Sequence, residues 1–167
     1  MHDGSHPVVV RPILAQDLSP LLASVGPLVD DLYPRGAEKL LQRLESALNG
    51  YANATVAASL LTGRPLGLAS EASKGRAAAK LSTFWVHPVM RRRGIGHRLL
   101  DARICNWQRN ELERVVVTVR AERAGELEAL FLPRGFVRIA NDRARYGVGR
   151  DEVVLEWKPT NASSQVA

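Results

Sequence analysis

The chain has 167 residues, 46% of them hydrophobic and 24% charged, with a formal net charge of +6 at pH 7. This length suits a single domain whose hydrophobic core needs no disulfide or metal ion for stability. No apolar run approaches the ~20 residues of a membrane span, and the first residues lack the basic and then apolar pattern of a secretory signal, so we expect a cytoplasmic protein outside the membrane.

A first short strand and two helices are predicted before residue 50. Residues 8–13 form an apolar run of strand length, and Asp17 is a suitable N-cap for the segment that follows. In that segment and the next, apolar residues recur at i, i+3, i+4 and i+7, which places them on one buried helix face. They are Leu18, Leu21, Leu22 and Val25 in the first helix, and Ala37, Leu40, Leu41, Leu44, Ala47 and Leu48 in the second.

The rest of the chain alternates between strand and helix patterns. A turn at 62–65 joins predicted strands at 55–61 and 66–70. Further strands are predicted at 80–86, 114–120, 136–140 and 153–157, with a helix over 94–110 and a short one that ends near Pro133. This order predicts a mixed α/β sheet with helices on its faces. We expect one domain over residues 8–158, with flexible polar ends at 1–7 and 159–167.

A basic, glycine-containing loop lies between the strand at 80–86 and the helix at 94–110. Pro88 stops the strand, residues 91–93 are all arginine, and Gly94 and Gly96 allow a close approach of the backbone to a ligand. The helix that follows directs its unpaired N–H groups and its positive dipole end toward the loop. A strand, a basic glycine loop and a helix N-terminus together predict a phosphate cradle.

The loop resembles the acetyl-CoA-binding motif of the GCN5-related N-acetyltransferase (GNAT) superfamily, which reads Gln/Arg-x-x-Gly-x-Gly/Ala. Arg91 stands at the first position, and Gly94 and Gly96 stand at the two small-residue positions. The segment from Leu130 to Phe136 resembles the late helix of the family, which ends in Gly-Phe. Val10-Arg11-Pro12 with Asp17-Leu18 is similar to the opening of the family. The resemblance runs over residues 8–158, and it implies a mainly antiparallel central sheet flanked by helices.

The resemblance also implies acetyl-CoA as the acyl donor. Its pyrophosphate is expected on the backbone amides of residues 92–97, its pantetheine arm beside the strand end at 85–86, and the three arginine side chains near its phosphates. The implied cofactor-binding residues are Trp85, Val86, Arg91, Arg92, Arg93, Gly94, Ile95, Gly96 and His97. A plain basic turn, or a nucleic-acid contact, is the alternative interpretation of the three arginines.

The usual catalytic residues of the family do not carry over to this sequence. Many members have a tyrosine four residues before the late glycine, where it protonates the departing thiolate, but Phe131 stands there. The residues that remain as candidates for proton transfer are Glu122, Tyr146, His87 and Glu71, and each has a structural alternative as a loop, packing or solvated residue. Cys105 is expected to be a buried, inert thiol, and no metal site is expected from the histidine spacing.

The implied reaction is direct transfer of an acetyl group to a primary amine in a ternary complex. The acceptor stays open among a small-molecule amine, a peptide and an aminoacyl-tRNA. Residues 80–150 carry a balance of +8 against −2 in the remainder, which favours an anionic partner. One alternative is a non-catalytic acyl-CoA-binding sensor or partner-binding module on the same fold. Another is a nucleic-acid-binding protein that uses the loop arginines 91–93 together with Arg98, Arg103 and Arg109. A homodimer is expected only because dimers are common in the family.

Overall fold

The structure, a computed structural model, describes residues 6–144 and 147–160. The strands are β1 (Val8–Pro12), β2 (Asn53–Ser59), β3 (Pro65–Ser73), β4 (Ala78–Val86), β5 (Arg114–Arg120), β6 (Phe136–Asp142) and β7 (Glu152–Trp157). The helices are α1 (Leu18–Leu32), α2 (Gly36–Leu48), α3 (Ile95–Arg109) and α4 (Ala124–Phe131), with single 3-10 turns between several elements. Among the described residues, no helix is long and apolar enough to cross a membrane.

The seven strands form one sheet in the order β1-β2-β3-β4-β5-β7-β6. The pairs β1/β2, β2/β3, β5/β7 and β6/β7 are antiparallel, whereas β4 and β5 are parallel, from Ala78 against Arg114 to Leu81 against Val117. A parallel pair needs a crossover connection, and α3 supplies it. The predicted mixed α/β fold with a mainly antiparallel sheet and flanking helices is confirmed.

The described residues divide into two compact units, one made of residues up to 72 with 82–105, and the other of 73–81 with 106 onward. In the first unit, α1 and α2 cover one face of the sheet. The fully buried Leu21 and Leu44 of these helices pack in one cluster with Val56 and Leu68 of the sheet and with Trp85 at the end of β4. The predicted apolar helix faces are therefore confirmed.

Helix α3 lies on the opposite face of β3 in the same unit. A Cβ atom added to Gly67 would lie 2.8 Å from Leu99 Cδ1 and 3.1 Å from Ile95 Cγ2, both side chains of α3. Because neighbouring residues of a strand face opposite sides, Leu68 points toward α1 and α2. The side chains of Leu99 and Ile95 therefore occupy the space that a side chain at position 67 would need, so a larger residue there would crowd α3.

The second unit has an aromatic core. Trp107 lies 5.3 Å from Trp157 and 6.0 Å from Phe136 between ring centroids, and Phe131 meets Phe136 edge-to-face at 4.8 Å. Trp107 and Trp157 are both buried. Phe131 is fully buried, so the position where many family members have tyrosine holds a packing residue here.

Several element boundaries differ from the prediction for local reasons. Strand β2 ends at Ser59 and not at residue 61, because the Ser59 hydroxyl accepts hydrogen bonds from the N–H groups of Leu61 and Thr62 and closes a turn. Leu60 and Leu61, which extended the apolar pattern, are exposed. The prediction that Cys105 is buried is wrong: it lies on the exposed side of α3, since the buried face of that helix passes through Leu100, Arg103 and Trp107.

Candidate functional site

The candidate site is built on the turn between β4 and α3, within the first unit. His87 ends the strand, and its Nδ1 accepts a hydrogen bond from the Val89 N–H at 3.3 Å, which caps the 3-10 turn Pro88–Met90. Met90 is buried, so its side chain anchors the base of the loop to the core. The arginines that follow are exposed, as expected for a loop that offers its side chains to a ligand.

The backbone of the loop has the geometry of an anion cradle. Arg92 and Gly94 take left-handed conformations, with φ of 60° and 78°, and such residues in a tight turn can bring successive N–H groups to one concave side. The first helical hydrogen bond of α3 runs from the Arg98 N–H to the Gly94 carbonyl at 3.1 Å. The N–H groups of residues 95–97 precede that bond, so they are the donors that a helix leaves for an anion.

The three loop arginines differ in their surroundings. Arg91 Nε donates a hydrogen bond to the Val86 carbonyl at 3.2 Å, which links the loop back to the end of β4. Arg92 and Arg93 lie beside Arg91 with exposed side chains. The family resemblance implies that all three arginines lie near phosphates, but nothing in it indicates that Arg91 also bonds to the end of β4.

Helix α3 is tied to the sheet of the first unit at successive turns. Next to its contact with Gly67, Arg98 Nη1 donates to the Val8 carbonyl of β1 at 2.7 Å. One turn further, Arg103 Nε donates to Glu71 Oε1 at 2.5 Å and its Nη1 donates to Thr55 Oγ1 at 3.1 Å. Glu71 and Arg103 are 2% and 5% exposed, so this is a buried ion pair. The helix that begins at the cradle is thus fixed in position and direction.

Sequence reasoning missed this pair and the close approach at Gly67. The sequence suggests Arg103 as a nucleic-acid contact, and Glu71 as a candidate for proton transfer or a structural residue, but neither interpretation pairs the two. Both stand on faces that are otherwise apolar, in α3 and β3. A charged residue at a core position of a predicted helix, together with one in a predicted strand, is a usable signal, because buried charges are almost always paired.

The residues proposed for proton transfer lie in different surroundings. In the first unit, His87 caps the loop and its ring meets Trp85 edge-on at 5.8 Å, while Glu71 is held by Arg103. In the second unit, the side chain of Glu122 is 70% exposed and lies 3.9 Å from Arg120. Tyr146 lies outside the described residues. The structure brings His87 to the cradle and places Glu71 on the α3 side of the sheet.

Trp85 and Val86 end the strand that leads into the loop. The Trp85 ring is buried against α1 and α2, and its Nε1 has no hydrogen-bond partner among the described residues. Val86 is half-buried, and its carbonyl receives the Arg91 bond. The side chain of Trp85 is therefore part of the core, and the groups that the strand end offers to a ligand are those of its backbone.

Comparison with known proteins identifies the family of the chain. A family model described as "Acetyltransferase (GNAT) domain" matches residues 30–150. No curated protein was found to match the sequence.

Solved structures share the fold at low sequence identity. One is yncA from Salmonella typhimurium with its cofactor acetyl-CoA, with 17% identity and a TM-score of 0.78 over 96% of this chain and 99% of that one. The ribosomal-protein-alanine N-acetyltransferase from Brucella melitensis has 21% identity and a TM-score of 0.76 over 90% and 99%. A GNAT family acetyltransferase from Elizabethkingia anophelis with acetyl-CoA bound has 16% identity and a TM-score of 0.68 over 91% and 98%.

Proposed function

The chain belongs to the GNAT acetyltransferase family, and on that premise we propose that it transfers the acetyl group of acetyl-CoA directly to a primary amine. The observation that carries this proposal is the cradle at the start of α3. Left-handed backbone at Arg92 and Gly94, free first-turn N–H groups and exposed arginines suit a pyrophosphate. Two structural relatives were solved with acetyl-CoA, which supports the same donor here.

The residues proposed to hold the donor follow the chain from β4 into α3. The backbone N–H groups of residues 92–97 would hold the pyrophosphate, and Arg92 and Arg93 would add charge. The backbone at the end of β4 would pair with the pantetheine arm. The role of Trp85 is proposed to be indirect, since its buried ring fixes the strand end from the α1 and α2 side.

When bound, acetyl-CoA supplies a thioester whose carbonyl carbon is the electrophile. In the transfer, the amine nitrogen forms a bond to that carbon, the carbon–sulfur bond breaks, and the thiolate leaves with its electron pair. A backbone N–H at the strand end would stabilise the developing oxyanion. Much of the rate can come from holding amine and thioester together, because a thiolate is a fair leaving group.

The proton of the amine needs a route out of the site. Phe131 has no proton to give, so the thiolate would have to take its proton from another donor. Among the proposed groups, Glu122 is exposed and has only a 3.9 Å ion pair with Arg120, so it can exchange a proton with solvent, while Glu71 is held in its buried ion pair. As a base, Glu122 should lose kcat without a change in stability in the variant Glu122→Gln. His87→Asn, whose Oδ1 takes the place of Nδ1, should keep the cap of the loop while removing a titratable group.

Thiol release tests the proposed reaction. Purified protein would be mixed with acetyl-CoA and a panel of small amines, peptides with free N-termini or lysines, and aminoacyl-tRNA, with free thiol measured over time. An active acceptor should raise thiol release above background hydrolysis, and Gly96→Trp, which fills the cradle, should abolish the increase. No release with any acceptor, although acetyl-CoA binds, would instead favour the acyl-CoA sensor, which the loss of the family tyrosine at Phe131 supports.

The nucleic-acid alternative loses one of its three helix arginines, because Arg103 is buried against Glu71. Arg98 is exposed and uses one of its N–H groups for the Val8 carbonyl. A bound nucleic acid would therefore have to rely on the loop arginines, Arg98 and Arg109. The basic surface is better explained by binding of the donor's phosphates. It is also compatible with an acceptor that carries phosphate, such as aminoacyl-tRNA.

A further inference from the structure

The backbone of Val86 faces away from β3. The next residue, His87, donates its N–H to the Leu66 carbonyl of β3 at 2.8 Å. Along an extended chain, the N–H and C=O groups of successive residues point to opposite sides. The groups of Val86 therefore point to the other edge of β4. The bond that its carbonyl receives from Arg91 Nε at 3.2 Å agrees with this direction.

Arg91 and Val86 retain capacity for further hydrogen bonds. A carbonyl oxygen has two lone pairs, and the Arg91 bond uses one of them. A guanidinium has five N–H donors, and among the described residues the only hydrogen bond of the Arg91 side chain is the one from Nε to Val86. The Nη groups of Arg91 can therefore bind an anion while Nε keeps its contact with the strand.

We propose that Arg91 is a positioning residue that joins the two parts of the donor site. Its Nε fixes the Val86 carbonyl, and with it the outward-facing backbone with which the pantetheine arm pairs, while its Nη groups face the phosphates. The inference rests on the proposed function, because it assigns one residue two roles toward the same donor. The buried Met90 keeps the loop base in place, so the reach of Arg91 back to Val86 is set by the fold.

The two roles separate when the ligand lacks phosphates. A side chain that acts only on phosphates has no effect on the affinity for pantetheine, which carries none. A side chain that positions Val86 changes the affinity for pantetheine and for CoA alike. Glutamine at this position can still donate a hydrogen bond through its amide but has no charge. Arg91→Gln therefore removes only the charge that acts on the phosphates, whereas Arg91→Ala also removes the hydrogen bond to Val86.

Chemical-shift titration of isotope-labelled protein with pantetheine and with CoA provides the test. Arg91→Ala should weaken the binding of pantetheine by about 3- to 10-fold, which corresponds to the loss of one net hydrogen bond. The same variant should shift the Val86 carbonyl carbon resonance in the free protein. Arg91→Gln should bind pantetheine like wild type and lose affinity only for CoA. The matched control is Arg92→Asn, because asparagine tolerates the left-handed backbone at this position. It should weaken the binding of CoA but not the binding of pantetheine.

The outcomes that overturn the proposal are distinct from those that overturn the enzyme. If wild type binds CoA and Arg91→Ala binds pantetheine as wild type does, Arg91 has no positioning role. The same conclusion follows if the Val86 carbonyl resonance does not move. If wild type binds neither ligand while its spectrum shows a folded protein, the proposed function fails, and the positioning role fails with it.

Discussion

The buried ion pair between Arg103 and Glu71 should dominate the stability of α3 on its sheet. Arg103→Met leaves the carboxylate of Glu71, which is 2% exposed, without its guanidinium. Loss of one partner of a buried pair costs about 3–5 kcal/mol, because the remaining charge stays desolvated. For a chain of this size, that corresponds to a fall in Tm on the order of 10 °C.

Removing both charges should recover most of the lost stability. In the double variant Glu71→Leu with Arg103→Met, no charge remains to be desolvated, and apolar side chains of similar volume fill the space. Such replacements are often neutral or stabilising, so we expect the double variant within about 1 kcal/mol of wild type. The two substitutions are then strongly non-additive, as expected for residues in direct contact.

Urea unfolding followed by circular dichroism measures the free energy of unfolding of wild type, the two single variants and the double variant. Gln108→Met, at an exposed position of the same helix, is the control and should change the free energy of unfolding by less than about 0.5 kcal/mol. The reasoning would be refuted if Arg103→Met stayed within 1 kcal/mol of wild type, or if the effects of the two single variants simply added in the double variant.

Three further predictions concern other contacts. Gly67→Ala should destabilise the protein by about 1–3 kcal/mol and weaken CoA binding, because the new Cβ displaces α3; unchanged affinity in titration would contradict this. Burial raises the pKa of Glu156, but hydrogen bonds from Arg114 and Lys158 outweigh this and lower the pKa below its ordinary 4.5. The stability that the ionised carboxylate contributes above that value should therefore be lost in acid. Glu156→Gln should reduce this loss when unfolding is measured as a function of pH. Asp17→Asn weakens the bidentate bond from Arg11 and should cost about 1.5–3 kcal/mol in urea unfolding.

The architecture could be predicted because apolar residues recur at regular spacing in the helices. The apolar faces with Leu21 and Leu44 contain little besides aliphatic residues, and their 3.6-residue period survives in α1 and α2. Errors arose where a side chain bonds to the backbone nearby, as Ser59 does at the end of β2, since no apolar pattern reports such a bond.

The candidate site could be predicted only in part. The loop and its glycines follow from local sequence, because a strand end, a basic turn and a helix start are contiguous. The pairing of Arg103 with Glu71 joins residues 32 positions apart, and the close approach at Gly67 depends on which element covers β3. Charged residues at apolar core positions can be noticed in the sequence, but the contacts that they and Gly67 make depend on the tertiary structure. The departure at Phe131 was visible in the sequence, but its place in an aromatic core was not.

Calorimetric titration with acetyl-CoA tests the central claim most directly. Wild type, Gly96→Trp in the first turn of α3, and Gln108→Trp at an exposed position twelve residues further along the helix would be compared. The cradle at residues 91–97 predicts that wild type and Gln108→Trp bind acetyl-CoA with equal affinity, and that Gly96→Trp, although folded, shows no binding. Equal binding by Gly96→Trp and wild type, or no binding by any of the three, would contradict the assignment of the donor site.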